Sequence, residues 1–195
     1  MTTSATKDLR PLAGIRIIDI CVVWTGPFGT MLLGDLGAEV IKLENIHRMQ
    51  PYTRGNKRKL TKEEIAGTGS WGEGFPDKDP GERPYERDPN YVPLFRNKLS
   101  MTVDLRSERG KENFFKLVEK SDVLMENNVP ETLDKLGITY DLLREVNPRL
   151  IMVRCPAFGG SGAYKNYRAW GNQMEAMSGH SYLRGYAGEP PTTNT

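Results

Sequence analysis

The sequence predicts an α/β fold, an open parallel sheet with helices on both faces. Two observations carry that prediction. Short β-branched runs alternate with stretches of helical character, beginning with IRIIDI at residues 15–20, which is short enough for a buried strand. A strand, a helix and a strand in succession need a right-handed crossover, which makes the two strands parallel. At least four strands with helices between them follow one another in this way, as in a doubly wound sheet.

Each element has a local reason. The first helix is expected over 27–36, because Pro27 suits the first turn and Gly37 the end. Residues 40–43 form the second strand. From about 49 to 93 the chain turns rich in glycine, proline and charge without a sustained period, and it reads as a long surface loop or lid. SMTVDL at 100–105 is the next strand, and Ser107 caps a helix to about Lys120 whose apolar side holds Phe114, Phe115, Leu117 and Val118. A strand at 122–125, a short helix closed by Gly137, a helix over 140–146 and a strand at 150–153 follow. The Gly-rich PAFGGSGAY then leads to a last helix over 172–177.

Composition excludes several classes. With 195 residues, 27% charged and 37% hydrophobic, the chain reads as globular and soluble, with no run long enough to cross a bilayer. The start, MTTSATKDLRPLAG, has no apolar core, so neither a secretory signal nor an anchor is expected, and a cytoplasmic location follows. Cys21 and Cys155 lie in or beside strands and read as reduced core thiols, not as a disulfide or a metal pair. A net charge of +2 without interleaved aromatics argues against nucleic acid. Lys57, Arg58, Lys59 and Lys62 cluster locally, with Arg96, Lys98, Arg106 and Arg109 further on. These are either a solvated surface or the footprint of a phosphate-bearing small ligand.

Ligands of open parallel sheets bind at the carboxyl ends of the strands. Here those ends read CVVWTGP, ENIHR, DLRSE, ENNVPE and CPAFGGSG. The dinucleotide fingerprint, the P-loop and the hydrolase nucleophile elbow are all absent, and His47 and His180 have no Ser or Cys partner by spacing.

Three stretches carry a resemblance: PLAGIRIIDI with TGPFGTMLLGDLGAEVIKLE, then RNKLSMTVDLRSERGKENFFKLVEKSDVLMENNVPETLDKLGITYDLLREVNPRLIMV, then FGGSGAY with EAMSG and GYAGEPPT. In this order they resemble the class III CoA-transferases (CaiB/BaiF type), a family that also holds carnitine and formyl-CoA transferases and α-methylacyl-CoA racemases. The stretch from 49 to 93 departs from the family's usual composition. The resemblance implies a Rossmann-like domain that binds coenzyme A, within two subunits threaded through one another. It implies a smaller second domain and a C-terminal segment beyond these residues. The family's nucleophilic aspartate follows a G-x-P-P segment, here 188–191, so its place falls just past Thr195 and no catalytic residue is expected within the chain.

Carried over residue by residue, the coenzyme-contacting positions are Val23, Trp24 and Thr25 in the first loop, Val103 and Arg106 after the third strand, and Asn127 and Lys135 in ENNVPETLDK. Arg106 and Lys135 suit phosphate oxygens, and Asn127 suits adenine or linker amides. A surface role is the alternative for the two cations, and turn capping for the asparagine. Two positions depart from the family. Trp24 stands where formyl-CoA transferases carry a glutamine beside the nucleophile, and is either a flat wall for an aromatic or bulky acyl group or a packing residue. Gly171 stands where an acidic residue is common, with Glu175 one helical turn later reading as a solvated helix residue. Trp170 replaces the histidine base of the racemases, which argues against racemisation.

The resemblance implies transfer of CoA from an acyl-CoA to a carboxylic acid through an aspartyl-CoA thioester, with no prosthetic group. Trp24 points toward an aromatic or bulky acid, such as an aryl-substituted succinate. The competing reading is a non-catalytic subunit paired with an active homologue, as in a succinyl-CoA:benzylsuccinate type enzyme. A free-standing binding module is the third, disfavoured because cutting a threaded dimer exposes apolar surface.

Overall fold

In a computed structural model, residues 9–45, 47, 59–66 and 75–191 are described. Lys57, Arg58 and Thr195 lie outside them. The first unit is β1 (Arg16–Asp19), α1 (Thr25–Asp35) and β2 (Glu39–Glu44). Helix α1 begins two residues before Pro27, with Trp24 at its N-cap. The stretch expected to be irregular carries three short α-helices in its described part, α2 (Lys62–Ala66), α3 (Pro84–Arg87) and α4 (Tyr91–Phe95), and a 3-10 turn at Pro76–Lys78. The reason is local packing, since Leu94 and Phe95 are buried and Tyr91 stacks on Phe95 at 4.5 Å between ring centroids.

Strand β3 (Lys98–Thr102) starts earlier than its sequence pattern indicates, because pairing with β2 recruits Lys98 opposite Val40. There follow α5 (Glu108–Glu119), β4 (Val123–Glu126), α6 (Glu131–Lys135), α7 (Tyr140–Val146), β5 (Ile151–Arg154), α8 (Gly171–Met177) and α9 (His180–Leu183). Hydroxyl caps set two of the starts: Ser107 Oγ accepts from Gly110 N at 3.0 Å before α5, and Thr139 Oγ1 from Leu142 N at 3.3 Å before α7. The described strands form one sheet in the order β3-β2-β1-β4-β5, every pair parallel.

That order carries functional meaning. The chain steps outward from β1 to β2 to β3, then crosses to the other side of β1, so α1 and α5 cover opposite faces and a switch point opens between β1 and β4. On the α5 face a core cluster joins Ile18, Leu43, Val103, Phe114, Val118, Leu124, Leu133, Ile138, Leu143 and Leu150. On the α1 face the buried cluster among the described residues is smaller, with Ile17, Ala38 and Val40. A fully buried aliphatic or aromatic side chain stabilises by about 1.5–3 kcal/mol, so the α5 face supplies most of the apolar stability. The α1 face is left to accommodate charge.

Candidate functional site

Strand alternation sends Ile17, Asp19, Val40, Lys42 and Lys98 to the α1 face, where three of the five are ionisable. Asp19 and the side chains of Lys42 and Lys98 are at most 1% exposed. Asp19 Oδ2 accepts from Thr30 Oγ1 at 2.7 Å and from Lys98 Nζ at 3.0 Å, and its Oδ1 accepts from Cys21 N at 2.8 Å and lies 3.5 Å from Lys42 Nζ. Lys42 also donates to the Cys21 carbonyl, and Lys98 to the Pro27 carbonyl at 2.8 Å and Thr30 Oγ1 at 2.7 Å. Phe95 lies against both ammonium groups, 4.7 Å from Lys98 Nζ and 5.8 Å from Lys42 Nζ to its centroid. Burial pushes the Asp19 carboxyl up, but Lys42, Lys98 and Thr30 outweigh it and hold it below its ordinary value. Burial lowers the pKa of Lys98 in spite of Asp19, and it raises the Cys21 thiol far out of the reactive range. The expectation that Lys98 belongs to a solvated surface is thereby corrected.

Above this cluster the loop after β1 meets the loop after β4. Val22 N donates to Asn127 Oδ1 and Asn127 Nδ2 donates to Val22 O, both at 2.7 Å, so one side chain bridges the switch point. Val23 follows with φ +66°, a left-handed conformation that costs a β-branched residue about 1–2 kcal/mol. Such strain persists where neighbours over-determine it, and here the Asn127 bridge and the buried lysines do so. Trp24 and Thr25 are exposed, at the start of α1.

At the ends of β2 and β3, Asp104 accepts from Arg106 N at 3.0 Å, from Arg106 Nε at 3.1 Å and pairs with His47 Nε2 at 2.9 Å. The Arg106 hydrogen bonds hold the Asp104 carboxyl down at about 2. Its ordinary value is 3.8, so the Arg106–Asp104–His47 arrangement is in place above that value and is lost as pH falls through about 2. A carboxyl carbon NMR titration should therefore show Asp104 ionised at pH 3; a midpoint near 4 removes the arrangement. Because Nε is engaged and the Arg106 side chain is 60% exposed, its terminal N–H groups remain for an anion.

The sequence-derived positions thus separate into groups. Val23, Trp24, Thr25 and Asn127 come together at the switch point through the Val22 bridge. Arg106 stands beside His47 instead of facing solvent alone. Val103 is 7% exposed and packs in the α5-face core, its N–H donating to Glu44 O at 2.9 Å. Lys135 pairs with Glu131 on its own helix at 2.9 Å. Gly171 opens α8 with nothing within 4 Å of where its Cβ would stand, and Glu175 pairs with Arg184 at 3.0 Å. Asp19 and Lys42 have no place in the sequence reading and Lys98 enters it only as one of a basic cluster, although a carboxylate inside IRIID and a lysine inside EVIKLE are the charged interruptions that signal a buried pair. Cys21 is buried and Cys155 half-buried, both free. Among the described residues no cluster of His, Cys, Asp and Glu is arranged to hold a metal ion, and no helix is long and apolar enough to cross a membrane.

A parallel 3-2-1-4-5 sheet with a strained, bridged loop at its switch point defines an open, doubly wound α/β domain. Residues 12–195 match the model of CoA-transferase family III, and the chain belongs to that family. It is 34% identical over 192 residues to the succinyl-CoA–L-malate CoA-transferase alpha subunit of Chloroflexus aurantiacus, covering 98% of this chain and 40% of that one. To the formyl-CoA:oxalate CoA-transferase of Streptomyces coelicolor it is 35% identical over 182 residues, 93% of this chain and 38% of that one. The crystal structure of a CaiB/BaiF family protein from Brucella suis superposes with a TM-score of 0.73 at 31% identity, over 94% of this chain and 43% of that one. The chain therefore spans about two fifths of the length of these relatives.

Proposed function

We propose that this chain supplies the coenzyme A-binding part of a CoA-transferase, which moves CoA from an acyl-CoA donor to a carboxylic acid. The observation that carries the reading is the Val23 turn, strained and tied by Asn127 across the switch point, where ligands of such sheets bind. On this reading Val23, Trp24 and Thr25 meet the coenzyme with Val103, Asn127 and Lys135, while Arg106 takes a phosphate oxygen. Asn127 does so through the loop it holds, since both ends of its amide already bond Val22.

The chemistry follows a covalent relay. An aspartate carboxylate attacks the donor thioester carbonyl, expelling CoA thiolate and leaving a mixed anhydride. The thiolate attacks the aspartyl carbonyl of that anhydride, releasing the donor acid and giving an aspartyl-CoA thioester. The acceptor carboxylate then attacks this thioester, and returning thiolate cleaves the second anhydride to give the new acyl-CoA and free aspartate. The residues described here bind and orient the coenzyme; the attacking carboxylate is not one of them. The half-exposed Trp24 indole offers a flat wall to an aromatic or bulky acyl group.

Titration calorimetry with CoA tests the reading. Arg106→Ala should weaken binding about tenfold or more, since a hydrogen bond to a charged group is worth about 1.5–3 kcal/mol. Absence of CoA binding by the unaltered protein, or full binding by Arg106→Ala, argues against it.

A second reading, a non-catalytic subunit paired with a homologous chain, is favoured by one feature. Trp24, Phe28, Leu32 and Leu36 recur every four residues along α1 and are each between 44% and 50% exposed. An apolar stripe of this kind suits association with another subunit, a second copy or a homologue. Light-scattering mass of the purified protein separates the cases.

A further inference from the structure

Two buried ammonium groups share one carboxylate beneath the 22–25 turn, a surplus of one positive charge without exposure. Their bonds are not placed at random along the chain. Lys42 donates to the carbonyl of Cys21, the residue just before the turn, and Lys98 to the carbonyl of Pro27, in the first turn of α1 into which it runs. Asp19 ties the two together and also accepts from Cys21 N. We infer that Lys42 and Lys98 are positioning residues of the coenzyme site, anchoring the two ends of the turn that presents Val23, Trp24 and Thr25; this rests on the coenzyme reading above. With side chains 1% exposed, neither lysine touches a ligand in the groove, so its effect is transmitted through backbone. A simple ion pair needs one lysine for Asp19, and the second is accounted for by the separate carbonyl it holds.

The test is Lys98→Met, which keeps the volume and leaves Asp19 paired with Lys42 and Thr30, a neutral cluster that can still fold. Val118→Ala serves as control, because Val118 is fully buried on the opposite face and its truncation lowers stability without touching the turn. At temperatures where both variants are folded, Lys98→Met should bind CoA about tenfold more weakly, while Val118→Ala binds as the unaltered protein does. Without any ligand, the amides of Cys21 and Val22 should exchange with solvent about tenfold faster in Lys98→Met and unchanged in Val118→Ala. If Lys98→Met does not fold, Lys42→Met carries the same comparison. Wild-type values for both readouts in the lysine variant, or equal changes in the control, overturn the inference. If the unaltered protein binds no CoA, the coenzyme reading fails by itself, and exchange at Cys21 and Val22 decides whether the lysines hold the turn.

Discussion

Asp19→Asn should destabilise the protein by about 3–5 kcal/mol, the cost of removing one partner from a buried ionic group. The carboxylate is fully buried and is the acidic partner of Lys42 and Lys98. An amide keeps the shape but removes the charge, leaving two ammonium groups on the dry α1 face with only carbonyls, a hydroxyl and the Phe95 ring around them. Each then shifts toward its neutral form or the face opens to water. Urea unfolding of the variant measures the loss, and adding Lys98→Met to Asp19→Asn should recover part of it, because only one unpaired cation then remains. The pH dependence has the same origin. The native carboxyl sits below its ordinary value of 3.8, so its contribution is complete above that value and is lost as pH falls through the depressed native one. A loss under about 1 kcal/mol in the variant would mean that Asp19 is no keystone of this cluster.

Gly26→Ala should be less damaging to the fold than Asp19→Asn but more so to ligand binding. A Cβ at Gly26 would overlap the Cβ and Sγ of Cys21 and stand 3.4 Å from Asn127 Cγ. Cys21 cannot retreat, because it is fully buried and its N–H and carbonyl are held by Asp19 and Lys42. Overpacking of this kind costs about 1–3 kcal/mol, and here the only relief is to push the 21–25 loop off its bridge to Asn127. CoA affinity should fall about tenfold, since the displaced loop is the one that carries Val23, Trp24 and Thr25 and each tenfold in affinity is about 1.4 kcal/mol of lost contact. Cys21→Ala in the Gly26→Ala background removes the sulfur overlap but not the Cβ overlap, so rescue should be partial. Unaltered thermal unfolding and CoA binding in Gly26→Ala would show that the loop has slack the packing does not reveal.

Much of the frame was readable along the chain because its causes are local. Helix α7 occupies 140–146 as its spacing indicates, Thr139 capping it, and Ser107 caps α5 where a hydroxyl precedes the apolar period. Gly37 follows α1 with φ +105°, a conformation that its lack of a side chain permits. The alternation of β-branched strands with amphipathic helices was enough for a parallel open sheet, and the loops at its carboxyl end contain Asn127 and Arg106. What stayed hidden depended on partners far away in sequence. Lys98 reads as a surface cation until β2 pairs with β3 and lays it over Asp19, 79 residues earlier. His47 looks solitary until the end of β3 brings Asp104 to it across 57 residues.

Local propensity and pattern, then, determined the alternation of strands and helices outside the 49–93 stretch and with it the parallel, open form of the sheet. Only the tertiary structure decided which charges are buried together, which backbone carbonyls they hold and why Val23 is locked in a strained turn. The physical reason is that burial and pairing of an ion depend on neighbours supplied by other strands, whereas a cap, a turn or a hydrophobic period depends on residues a few positions away.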